Sequence, residues 1–139
     1  MANFMCATRT NYFRVTDEDR YQILFSNLVS EDNINDFTQE KDGVIFHGFG
    51  AYSDINYYDD TDENLDYDIS LFLEELQKIL PEDEAFIMIC AGHERLRYVC
   101  ADVIVCTAKE VEYLNSDGLA LSAARRMLGN EAFITKLNY

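Results

Sequence analysis

The 139-residue chain carries 26 acidic and 11 basic side chains, a formal net charge of −15, with 48% hydrophobic and 13% aromatic residues, one proline and no tryptophan. That length suits a single domain spanning residues 1–139, and the apolar fraction excludes a disordered acidic tail, which lacks the burial needed to offset chain entropy. A sequence pI near 4.2 has the wrong sign for gripping phosphates or anionic lipid, so neither nucleic acid nor a membrane is expected as a direct partner.

In chain order, Phe4 to Val15 reads as an opening strand rich in Thr, Tyr, Phe and Val. A helix follows, capped by Thr16, with Asp17, Glu18 and Asp19 in its first turn and Tyr21, Leu24, Phe25, Leu28 and Val29 as one apolar stripe. Ile34–Gln39 and Val44–Tyr52 form two strands around Asp42-Gly43, a dipeptide suited to a turn with positive φ. Gly48 and Gly50 within the second mark a bulge or a close backbone approach. After an acidic loop over residues 54–68, a helix from about Asp66 to Leu80 buries Ile69, Phe72, Leu73, Leu76, Ile79 and Leu80, and Pro81 ends it.

Beyond Pro81, Ala85–Cys90 reads as a buried strand, Gly92-His93-Glu94 as a turn, Leu96–Cys106 as a long strand and Glu110–Leu114 as another. A third helix near Asp117–Leu128 stops at Gly129. Strands broken by helices without regular βαβ alternation predict an α+β fold, a mostly antiparallel sheet of five to six strands with two to three packed helices. The first residues have no basic n-region followed by an apolar h-region, so secretion by signal peptide is not expected, and the apolar run from Ala85 to Gly92 falls far short of the roughly 20 residues a spanning helix needs. With Cys6, Cys90, Cys100 and Cys106 read as reduced thiols, the expected compartment is the cytoplasm.

The charge is uneven. Residues 54–84 hold 12 acids and one base, Lys78, whereas residues 85–139 hold six of each. Repulsion at this density destabilises a compact state, and solubility alone does not require it. A surface that attracts a basic partner accounts for it, and interleaved tyrosines are typical contact residues. The expected partner-binding residues are Asp54, Tyr57, Tyr58, Asp59, Asp60, Asp62, Glu63, Asp66 and Asp68, joined at the margins by Asp17–Asp19 and Glu82–Glu84. A Lys/Arg groove of a nucleic-acid-handling protein is the complementary surface.

Other chemistries fit less well. Asp60, Asp62, Asn64 and Asp68 fall at positions 1, 3, 5 and 9 of a calcium loop, but Leu65 and Leu71 stand where a Gly and a bidentate Glu are required. Cys90-x-x-His93 with Cys100 and Cys106 offers zinc ligands, but on apolar strands and without a CxxC pair. No nucleophile elbow is present, and Gly48-x-Gly50 precedes no helix. No metal, cofactor or catalytic residue is therefore expected. The alternative is a small-ligand binder or small enzyme with a pocket near His47 and His93. Arg9, Arg14, Arg95 and Arg97 stand out among few bases. Their simplest role is to offset neighbouring carboxylates, with Arg95 and Arg97 on one strand face.

Thr8-Arg9-Thr10-Asn11-Tyr12-Phe13-Arg14-Val15 with Asp17-Glu18, and Glu94-Arg95-Leu96-Arg97-Tyr98-Val99, resemble a family of small acidic accessory proteins of bacterial plasmids, conjugative elements and phages. The resemblance spans the chain from the opening strand to the strand near Cys106. It implies an accessory gene on mobile DNA, a setting in which acidic proteins counter host defence. Antirestriction and anti-CRISPR inhibitors are of that kind, and the chain matches them in size and charge. The expectation is a non-catalytic, nucleic-acid-mimicking inhibitor of a host defence nuclease.

Overall fold

The structure is a computed structural model that describes residues 5–58 and 67–135. β1 (Met5–Thr10) leads through an extended segment to α1 (Glu18–Ser26), followed by β2 (Leu28–Ser30), β3 (Asn35–Asp36), β4 (Gln39–Lys41), β5 (Val44–Phe46), β6 (Phe49–Ala51) and β7 (Ile55–Tyr57). Then come α2 (Ile69–Gln77), β8 (Phe86–Glu94), β9 (Tyr98–Cys106), β10 (Val111–Asn115) and α3 (Ser116–Leu128). Six strands form an antiparallel sheet in the order β10-β9-β8-β1-β6-β3, beside the two-stranded pairs β2-β7 and β4-β5. This is the α+β architecture with a mostly antiparallel sheet.

Local chemistry explains the elements and their limits. Asp17, not Thr16, caps α1, its carboxylate accepting from the Arg20 N–H at 3.0 Å. The helix ends at Ser26, so Leu28 and Val29 belong to β2, paired with β7, rather than to the helical stripe. Asp42 (φ 54°) and Gly43 (φ 79°) turn β4 into β5, in the left-handed region such a tight hairpin needs. At Gly50 a Cβ would stand 2.7 Å from the Thr8 carbonyl oxygen, so β1 and β6 approach closely only because that position is glycine.

The expected break at Gly92-His93-Glu94 does not occur. β8 runs straight through to Glu94, and the turn falls on Arg95–Arg97, with Arg95 at φ 50°. Arg95 and Arg97 therefore lie in a turn and not on a shared strand face.

The core lies on one face of the sheet. Phe86 from β8 packs edge-on against Phe13, with ring centroids 5.1 Å apart, and Phe49 and Phe72 complete the cluster at 6.1 and 5.9 Å from it. Leu24 and Tyr21 from α1 and Leu73 and Leu76 from α2 close over these rings. Apolar burial at this scale, with edge-to-face ring pairs, supplies the main favourable term for the fold.

Candidate functional site

Two surfaces stand apart from this core. The first is the acidic segment. Tyr58 and Tyr67 pair in an antiparallel bridge with their rings 5.4 Å apart, and the Asp68 N–H donates to the Tyr57 carbonyl at 3.0 Å. The flanks of the segment are thus held together at the end of β7. Asp59, Asp60, Asp62, Glu63 and Asp66 lie outside the described residues. Tyr57 is only 5% exposed and packs on Phe72, which makes it a core residue and corrects its assignment to a contact surface.

The described carboxylates divide by role. Asp68 caps α2, accepting from the Ser70 N–H at 2.9 Å and the Ser70 hydroxyl at 2.7 Å, which together hold its pKa below the usual carboxylate range. Glu75 accepts from Lys78 at 2.8 Å and Arg20 at 2.7 Å, with the same consequence. Arg14 holds Glu84 through Nε at 2.9 Å and Asp83 through Nη2 at 3.1 Å. Asp17 is spent on its helix cap, and Glu18 accepts from His47 Nε2 at 2.6 Å. Of the expected margins, Asp17, Glu18, Asp83 and Glu84 therefore have structural partners within the fold. Asp54, whose carboxylate accepts the N–H of Ile55, lies exposed at the start of β7, and Asp19 and Glu82 are exposed as well.

The two histidines do not converge. His47 is 1% exposed, bridges backbone to backbone with Phe13, lies 4.0 Å from the Tyr21 ring, and has its second ring nitrogen 3.2 Å from the Thr38 hydroxyl. His93 pairs with Met5 at the other end of the same N-terminal segment. Eight residues of extended chain separate Met5 from Phe13, roughly 26 Å at the strand rise. Clefts beside Asp54 and Cys90 (about 240 Å³), beside Arg9 and Phe37 (about 360 Å³) and beside Arg125 and Arg126 (about 640 Å³) are lined by other residues. All four cysteines are free, and among the described residues no group of three or more His, Cys, Asp or Glu side chains is placed to hold a metal. Burial, joined at Cys6 by the neighbouring Cys90, pushes the Cys6 and Cys106 thiols up to about 11, which favours the protonated thiol at neutral pH.

The second surface is one that sequence reasoning missed. Across β10, β9, β8 and β1, the face of the sheet opposite the core consists of the rows Ile87–Val105–Glu112, Arg9–Ile89–Val103–Leu114, Ala7–Ala91–Ala101 and Met5–His93–Val99. None of these residues is buried, and Met5, Ile89 and Val99 are 64%, 45% and 57% exposed. An antiparallel sheet normally turns polar side chains to solvent on its uncovered face; here only Arg9, His93 and Glu112 are polar. The continuous apolar runs of β8 and β9 were the available signal. They read as strands buried on both faces, but α1 and α2 close over the other face; on this one Met5, Ala7, Arg9, Ile89, Ala91, His93 and Val99 are exposed, while Ile87, Ala101, Val103, Val105 and Leu114, towards the β9-β10 side that α3 adjoins, are half-buried. Among the described residues no helix is long and apolar enough to cross a membrane. Compared with protein-family models, curated proteins and solved structures, the chain matches none.

Proposed function

We propose that this chain is a non-catalytic interaction protein whose acidic segment docks on a basic groove of a nucleic-acid-handling protein, as a nucleic-acid-mimicking inhibitor of a host defence nuclease would. The supporting observation is the distribution of counter-charge. Arg14, Arg20 and Lys78 are engaged with Asp83, Glu84 and Glu75, while the sequence of residues 59–66, between Tyr58 and Tyr67, contains five acids and no base. A run of carboxylates with no base among them in sequence favours an external cation, with an association rate that salt reduces. The alternative, a small-ligand binder or small enzyme with a pocket near His47 and His93, draws no support from the separation of the two histidines.

Charge reversal of Asp59, Asp60, Asp62 and Glu63 to Lys tests the proposal. The parent should retain a basic protein from a host lysate, releasing it to competing duplex DNA and to about 1 M salt, where the screening length falls to about 3 Å. The reversed variant, folded by circular dichroism, should retain none. Equal retention by the two would overturn the assignment.

A further inference from the structure

We infer that the uncovered sheet face is a self-association surface, and that its occupant is a second copy of this chain. Three observations on the molecule single out that occupant.

The first is charge. The acids concentrate between residues 54 and 84, whereas residues 85–139, which supply most of the uncovered face, are balanced at six acids and six bases. A partner with a basic groove finds little to hold here, since the four rows present one carboxylate, Glu112. Two copies of a chain of charge −15 can approach closely only through a neutral patch.

The second is self-complementarity. Arg9 lies on β1 and Glu112 on β10, at opposite margins of the four-strand face β10-β9-β8-β1. A two-fold axis running along the strands between β8 and β9 lays β1 of one copy over β10 of the other. Each Arg9 then meets the margin bearing the partner copy's Glu112, one row along, about 7 Å and within reach of an arginine. Arg9 now lies over the Phe37 ring at 4.8 Å, a position from which its guanidinium can swing.

The third is size. Four strands at about 4.8 Å spacing and about 25 Å of their length give a flat footprint on the order of 500 Å². Side-chain relief raises the accessible area above that figure. This approaches the roughly 800 Å² per partner of a stable interface, and aligned sheet-on-sheet packing is its natural geometry.

The experiment is sedimentation of the full chain, of mass 16.1 kDa, across protein and salt concentration. A dimer is expected, tightening as salt rises, because screening removes repulsion between two acidic copies. That dependence is opposite to the one expected for docking on a basic partner, so the two proposals fail independently. Ile89→Lys and Val103→Lys, each checked for an unchanged circular dichroism spectrum, should yield monomer. Arg9→Glu should weaken the dimer at least tenfold, and Arg9→Glu with Glu112→Arg should restore it. A monomer at about 100 μM, well above the micromolar range typical of weak interfaces, would overturn the inference. So would a dimer indifferent to Ile89→Lys and Val103→Lys but broken by Val111→Pro, which would place the contact on the β10 edge.

Discussion

Phe86 and Ile89 lie three residues apart on one strand and face opposite sides of the sheet, which makes them a test of where the core is. Phe86 is fully buried and in ring contact with Phe13, Phe49 and Phe72. Its truncation to alanine removes a buried aromatic side chain and three ring contacts from a site where neighbours from β6, α2 and the segment before α1 cannot all collapse. The expected cost is about 3–5 kcal/mol, a large share of the roughly 5–15 kcal/mol available to a domain. Ile89 retains 45% exposure, and Ile89→Ser in dilute protein should cost under about 1 kcal/mol. Urea unfolding followed by circular dichroism reads both, the midpoint shifting at constant slope. Equal costs at the two positions would refute the one-sided core and, with it, the existence of an open apolar face.

Further outcomes follow from single contacts. Gly50→Ala places a methyl 2.7 Å from a backbone oxygen, so β1 and β6 must separate, and a loss of about 1–3 kcal/mol in urea unfolding is expected; a neutral result would contradict the close approach. Glu75 has a folded pKa below its unfolded value, so the unfolded state binds more protons in acid. The stability it contributes is present at neutral pH and lost as pH falls through the carboxylate range. Glu75→Gln should accordingly lower the melting temperature at pH 7 and flatten its decline towards pH 3, and an unaltered decline would show that the pairing with Arg20 and Lys78 contributes nothing. Cys106, fully buried with its thiol pushed up to about 11, should resist alkylation at pH 8 until denaturant is added, and prompt labelling of the native protein would place it elsewhere.

Much of the fold was legible where local chemistry decides it. The buried residues Tyr21 and Leu24, the turn at Asp42-Gly43, the apolar face of α2 and the left-handed cap at Gly129 all followed from spacing and backbone preference. The failures have a common cause in tertiary context. Gly92 looked like a turn residue, yet it pairs between Cys6 and Cys100 in continuous strands, while the positive φ of the actual turn falls on Arg95. Tyr57 looked like a contact residue because its sequence neighbours are acidic, but strand alternation in β7 turns it inward with Ile55. The uncovered face was hidden because an apolar run reports hydrophobicity on both sides of a strand and says nothing of how many layers will cover it. Charge counting found the acidic segment but not which carboxylates Arg14 and Arg20 would take.

On the proposal above, the acids of residues 59–66 act on a protein outside this chain. Binding constants between this protein and the retained basic protein, measured across a salt series for the parent and for the fourfold Lys variant, address it most directly. The logarithm of the parent's affinity should fall steadily as salt rises, with no measurable binding by the variant. An affinity that ignores salt, or that survives the charge reversal, would contradict it.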